Sequence, residues 1–147
     1  MPIRIQSNQI QNPQQMEVVV AGPDEANRLI IINGQFDYVI TAFSPAQAGV
    51  LTKETFSVLV GPQLTRRQFV QAIGTAALVG GQVQFTGAAT GFLTNWHINN
   101  VDADWDDESG QVELRIEAQV SVSGPNDSAT IAGFLFQVTI LAAVPAA

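Results

Sequence analysis

The stretch from Val101 to Ser123 reads VDADWDDESGQVELRIEAQVSVS and contains two alternating runs joined by a polar segment. The apolar members are Val101, Ala103 and Trp105 in the first run, and Val112, Leu114, Ile116, Ala118, Val120 and Val122 in the second. A period of two over so many positions is typical of strands with one buried face and one wet face. Because the intervening Asp-Asp-Glu-Ser-Gly at 106–110 favours a turn, the stretch predicts an antiparallel hairpin.

Strand-forming runs also lie on both sides of this hairpin. They cover residues 17–21, 28–32, 35–43, 55–60, 83–86, 90–99 and 130–142. Asn33-Gly34 separates two of them, and this dipeptide accepts the positive φ angles of a type I′ turn, so we predict a tight hairpin there. The consecutive residues Ile30 to Ile32, and the nearly continuous apolar run of 130–142, indicate strands covered on both faces, by an opposing sheet or by a partner.

Residues 64–81 interrupt the alternation and predict one helix at about 65–79. Thr65 and Gln68 have the spacing of a capping box, in which each side chain satisfies a backbone N–H of the other residue. Gly80-Gly81 would end such a helix. The residues that would form its apolar face are Phe69, Val70, Ile73 and Ala77.

The length of 147 residues suits one domain, which can bury roughly 68–70% of its unfolded surface. Neither a fixed repeat nor a linker divides residues 1–147, so we predict a single β-sandwich domain. Residues 1–15 are polar and form either an N-terminal arm or a short edge strand with Ile3 and Ile5. The predicted fold is all-β, an antiparallel two-sheet sandwich or flattened barrel of about eight strands with one helix.

The charge balance limits the partners. The chain carries 13 acidic and 6 basic residues, for a formal charge of −7, and Lys53 is its only lysine. Because phosphate backbones and anionic membranes require clustered cations, we expect neither nucleic acid nor a membrane as a partner. The N-terminal sequence has no signal-peptide pattern and no apolar run reaches ~20 residues, so the expected location is soluble and, by default, cytoplasmic.

The small number of charged residues points to self-association. They make up 13% of the chain, about half of the usual ~25%. Polarity comes instead from neutral groups, including 15 glutamines. Because interface cores are depleted in charge, we expect part of the surface to be covered by other copies, as in a homo-oligomer.

The acidic hairpin gives the one metal hypothesis. Asp102, Asp104, Asp106 and Glu113 reproduce the 1, 3, 5 and 12 spacing of a calcium-binding loop. Position 6 is Asp107, where such a loop needs glycine, and strands rather than helices flank it. The alternative is a solvated acidic face partly paired with Arg115.

Other candidate groups have structural alternatives that explain them better. His97 is the sole histidine, and no nucleophile motif or orienting partner supports a catalytic role for it. Trp96 and Trp105 could stack on a sugar, although burial in a core or interface is the default for tryptophans that alternate with polar residues. The cysteine-free chain contains no thiolate ligand, and we predict no cofactor other than a calcium ion at the hairpin.

These observations favour a non-enzymatic structural or assembly subunit that self-associates through apolar strand faces or edges. The alternative function is a small binding module for calcium or carbohydrate, centred on the acidic hairpin at 102–113.

Overall fold

A computed structural model describes residues 2–21, 25–45, 49–84 and 93–145 of the chain. The predicted all-β fold is confirmed, since apart from one 3₁₀ turn at Ser7–Gln9 the regular elements of these residues are strands. The strands are β1 (Ile3–Ile5), β2 (Ile10–Ala21), β3 (Glu25–Phe43), β4 (Val50–Val60), β5 (Phe69–Gln84), β6 (Leu93–Trp105), β7 (Val112–Ser123) and β8 (Ser128–Pro145).

The eight strands form two four-stranded sheets. Sheet A has the order β1-β4-β7-β6, and sheet B has the order β2-β3-β8-β5. All neighbours are antiparallel except β1 and β4. Only the connections β2–β3 and β6–β7 stay within one sheet, so the chain crosses repeatedly between layers. As a result, β7 lies between β4 and β6 in sheet A, and β8 lies between β3 and β5 in sheet B.

The core lies between the inward faces of the sheets. Phe36 and Phe134 of sheet B meet Phe56 of sheet A, with ring centroids 5.0–5.5 Å apart and tilted planes. Each of these rings is fully buried. Such tilted contacts are the preferred arrangement of aromatic pairs. The inward residues of β7 that the alternation predicted, from Val112 to Val122, are all buried as well, so this hairpin prediction is confirmed.

The hairpin predicted at Asn33-Gly34 is wrong. Both residues lie inside the 19-residue strand β3, where they pair with Gln137 and Phe136 of β8. Neither has a positive φ. Gly34 serves packing instead, because a Cβ there would lie 2.6 Å from Cζ of Phe136 and 2.8 Å from Cγ2 of Ile10.

The helix predicted at 65–79 is also wrong, although its capping box forms. The backbone N–H of Thr65 donates to Oε1 of Gln68 at 2.9 Å, and the N–H of Gln68 lies 3.3 Å from Oγ1 of Thr65. After this single turn, residues Phe69–Gln84 form β5 and pair with β8 along nearly their whole length. The long ladder with β8 outweighs the local preference of a marginal helix that contains Gly74.

The polar N-terminal stretch takes the edge-strand alternative. Ile3 and Ile5 lie in β1, which pairs in parallel with residues Phe56–Val58 of β4. The predicted break between strands at 87–89 lies outside the described residues. Among the residues that the structure describes, no helix has the length and apolar character needed to cross a membrane.

Candidate interaction surface

The outward face of sheet A is charged and internally paired. Glu113 of β7 accepts from Nε of Arg115 at 2.8 Å and lies 3.4 Å from Nη2 of Arg4 on β1. Lys53 of β4 lies 3.3 Å from Glu117 of β7. This surface matches the solvated face that the alternation of β7 predicts.

The outward face of sheet B contains no charged residue over four rows of four positions. Each row takes one residue from β2, β3, β8 and β5, in that order. The rows are Val18, Leu29, Leu141 and Gln71; Met16, Ile31, Thr139 and Ile73; Gln14, Asn33, Gln137 and Thr75; and Gln11, Gln35, Leu135 and Ala77. We call these sixteen residues the uncharged face. Half of it is aliphatic and the other half carries carboxamide or hydroxyl groups.

Large apolar side chains on the uncharged face are open to water. Met16 is 59% exposed, Ile73 58%, and Val18 and Leu135 47% each. With strands ~4.8 Å apart and residues ~3.3 Å apart, the face covers a planar area of about 400 Å². The aliphatic half of this area, about 200 Å², lies mostly in the first two rows, and exposed apolar patches of a few hundred Å² often mark interaction sites.

A depression of about 460 Å³ lies over the carboxamide rows. Its lining includes Gln14, Asn33 and Gln137 from three adjacent strands. Oδ1 of Asn33 is buried and has no hydrogen-bond partner among the described residues. Leaving a buried acceptor unpaired costs about 1–3 kcal/mol, so this oxygen destabilises the folded chain.

Strand β2 forms the free edge of sheet B and is exposed on both faces from Gln11 to Ala21. On its inner face, Glu17 forms a bidentate ion pair with Arg28 of β3, with one N···O distance of 3.0 Å. Hydrogen bonding to Arg28 holds the pKa of Glu17 below its ordinary value. Val19 on the same face is 57% exposed, so β2 extends beyond the cover of sheet A.

The four predicted calcium ligands lie near one another. Asp102, Asp104, Asp106 and Glu113 line one groove of about 300 Å³, but Arg115 lines it too. Both Glu113 oxygens are engaged, since Oε2 also accepts from Oγ of Ser57 at 2.7 Å. Within the described ranges, no three acidic or histidine side chains form a group that could hold a metal ion. The calcium hypothesis stays a prediction.

Asp106 organises the turn of the acidic hairpin. Its Oδ2 accepts from Oγ of Ser109 at 2.6 Å and from the backbone N–H of Ser109 at 3.0 Å. These two hydrogen bonds, with smaller contributions from Arg4 and Arg115, lower the pKa of Asp106. Such side-chain to backbone bonding is what makes aspartate favourable in turns, so the carboxylate has a structural role here.

The tryptophans are half-buried and face the core. Nε1 of Trp96 donates to the carbonyl of Thr130 at 3.1 Å, and Nε1 of Trp105 donates to that of Leu64 at 3.0 Å. A Cβ on Gly81 would lie 3.2 Å from Cε2 of Trp96, so β5 covers this ring. The guanidinium of Arg66 lies 5.6 Å from the centroid of the Trp105 ring, so both rings have close neighbours within the chain. His97 points outward from β6, opposite Gln119.

Sequence reasoning anticipated the uncharged face only in part. It predicted cover on both faces of Ile30 to Ile32, and in the structure Ile30 and Ile32 are buried while Ile31 lies on the uncharged face. The sequence does not predict that β2 before Glu17 and Ile73 contribute to the uncharged face. The capping pattern at Thr65 assigns Ile73 to a helix instead. The signal for this face is the absence of charge from alternate positions of four separate strands. No protein-family model, curated protein or solved structure matches this chain.

Proposed function

We propose that this protein is a non-enzymatic structural subunit that self-associates through the uncharged face. The observation that carries the proposal is the absence of charge from sixteen neighbouring outward positions of a chain with a formal charge of −7. Interface cores are depleted in charge in the same way.

The distribution of charge also favours the uncharged face of sheet B over the outward face of sheet A as the interface. On sheet A, Arg4, Arg115 and Lys53 already form ion pairs with Glu113 and Glu117. A partner covering it would have to desolvate these ion pairs, which a new contact seldom repays. On sheet B, covering the aliphatic rows removes apolar area from water at about 25 cal/mol per Å².

The carboxamide rows suit contact with an identical face. A carboxamide both donates and accepts hydrogen bonds, so Gln and Asn side chains can satisfy copies of themselves. Two faces of the same composition therefore complement each other without any charged partner.

The test compares two equally exposed aliphatic residues on opposite sheets. Ile73 of the uncharged face is 58% exposed, and Leu51 on the outward face of sheet A is 55% exposed. We expect light scattering to find wild type and Leu51→Lys in the same oligomeric state and Ile73→Lys in a smaller one. A monomeric wild type at high micromolar concentration would refute the proposal, as would identical behaviour of the two variants.

The second proposal is a calcium-binding or carbohydrate-binding module at the hairpin of residues 102–113. Its support is the groove that gathers Asp102, Asp104, Asp106 and Glu113. Arg115 within that groove counts against a cation there, because its charge repels the ion. Calorimetry with calcium, using Asp104→Asn as the matched variant, and then with a glycan panel, tests this module. Absence of binding heat from both removes it.

A further inference from the structure

The free edge of β2 lacks the protection that edge strands usually carry. Native sheets protect their edges with lysine, proline, bulges, inward charges or very short strands. In β2 the protective features are Pro13 and the irregularity between Gln11 and Gln14, where Asn12 has a φ of 49°. The remainder, Gln14–Ala21, has neither lysine nor proline, and its one charge, Glu17, is neutralised by Arg28.

We infer that β2 pairs antiparallel with β2 of a second copy, across a two-fold axis at Val18, to form one continuous eight-stranded sheet. This inference rests on the proposed function, because it names the edge through which the subunits first meet. A self-complementary patch related by a two-fold axis is the usual geometry of a homodimer.

The position of the axis follows from the alternation of side chains. From Gln14 to Ala21, the even-numbered residues of β2 point to the side of the uncharged face and the odd-numbered residues to the inner side. For the two uncharged faces to lie on the same side of the joined sheet, even-numbered residues must oppose even-numbered residues of the second copy. One residue of β2 must therefore oppose its own copy, with the axis midway between the two. An axis at Glu17 would place two carboxylates directly opposite each other, which is unfavourable.

An axis at Val18 avoids this repulsion. Val18 then opposes its own copy, Met16 opposes Val20, and Glu17 opposes Val19. All three valines and Met16 are exposed in the single chain, Val20 at 62%. An axis at Met16 would instead bring Pro13 and the irregular backbone at Asn12 into the paired segment. An axis at Val19 would pair only residues 17–21 of the described strand, whereas an axis at Val18 pairs residues 15–21, so Val18 is the centre that pairs the longer regular segment of β2.

The area of the uncharged face gives a second argument for a second copy as the occupant. One face of about 400 Å² is smaller than the ~800 Å² that each partner contributes to a standard interface. Two copies joined at β2 present about 800 Å² of continuous uncharged surface. Edge pairing would therefore double the uncharged surface that is available for a face-to-face contact.

Cysteine cross-linking tests the axis directly, because the chain has no native cysteine. Directly opposed residues of antiparallel strands lie about 4.5–5.5 Å apart at Cα, within disulfide range. We expect Val18→Cys to form a covalent dimer with oxidised glutathione. Val20→Cys is the matched control, since its two copies would lie about 13 Å apart along the strands. A mixture of Met16→Cys and Val20→Cys should cross-link although neither does so alone.

The outcomes separate this inference from the proposed function. A covalent dimer of Val18→Cys, together with the mixed Met16→Cys and Val20→Cys dimer, supports the axis. Equal cross-linking of Val18→Cys and Val20→Cys overturns it. If light scattering shows that all variants still self-associate but no disulfide forms, edge pairing is wrong and the uncharged face stands. A wild-type monomer removes both, and circular dichroism establishes that each variant has folded.

Discussion

Gly74 of β5 and Leu114 of β7 meet across the sandwich so closely that a Cβ on Gly74 would lie 2.5 Å from Cδ1 of Leu114. The contact joins the two sheets where β5 crosses the central strand of sheet A. A side chain at position 74 must displace a fully buried leucine. This glycine serves the packing of the core rather than a turn.

Gly74→Val should therefore destabilise the fold by about 1–3 kcal/mol through overpacking. Urea unfolding followed by tryptophan fluorescence measures the change. Gln82→Val on the same strand is the control, because Gln82 is exposed and valine suits a strand. A Gly74→Val protein as stable as wild type would contradict this packing.

Glu113 should contribute more to stability than Glu117 of the same strand. The Glu113 side chain is 15% exposed and bonds to groups of β1, β4 and β7, whereas Glu117 is 33% exposed and contacts only the exposed side chains of Lys53 and Asn99 among the described residues. We expect Glu113→Ala to cost about 1–3 kcal/mol, because Ser57 and Arg4 lose a charged partner. Glu117→Ala should cost under about 1 kcal/mol. Denaturant titration compares them, and equal losses would count against this role of Glu113.

The turn at Asp106 should make stability depend on pH in the acid range. Its pKa is lowered in the folded chain, first by the Ser109 hydroxyl, so its stabilisation is complete above the unfolded-state pKa of about 3.9. The stabilisation is lost as the pH falls through the folded-state pKa. We expect Ser109→Ala to be less stable than wild type at neutral pH and to approach it in acid. A difference that stays constant with pH would argue against this linkage.

Asn33→Val distinguishes a strand from the turn that the sequence suggests at this position. In a type I′ turn a β-branched residue with positive φ would be strongly strained. In β3 the change removes the unpaired Oδ1 and adds a residue that favours strands, so stability should stay within about 1 kcal/mol of wild type or rise. Unfolding midpoints at several protein concentrations measure it. A loss of several kcal/mol would contradict the strand.

Local sequence patterns predicted the elements whose pattern fits only one type of secondary structure. The hairpin of β6 and β7 follows from alternation alone, because its outward residues are polar throughout. In β5 both faces are apolar or small, as Ala72, Gly74 and Ala76 alternate with Ile73 and Thr75. The period of two is therefore hidden, and a real capping box at Thr65 was extended into a helix that the chain does not form.

The uncharged face depends on strand register, which local patterns do not contain. Met16, Ile31 and Ile73 share a row only because β2 pairs with β3, and both β3 and β5 pair with β8. Alternation assigns each residue to one of two faces. Alternation does not specify which strands become neighbours. The low charge content of the sequence therefore cannot be assigned to one surface without the strand pairing.

The central place of β8 in sheet B affects how the protein can be synthesised. The strand spans Ser128–Pro145 and separates β3 from β5, so neither has its main neighbour until the last of the eight strands leaves the ribosome. Until then β5 has no strand partner, and β3 can pair only with β2. Delayed long-range pairing of this kind slows folding and exposes edges to aggregation, so chaperones that shield nascent strands should set the yield of this protein.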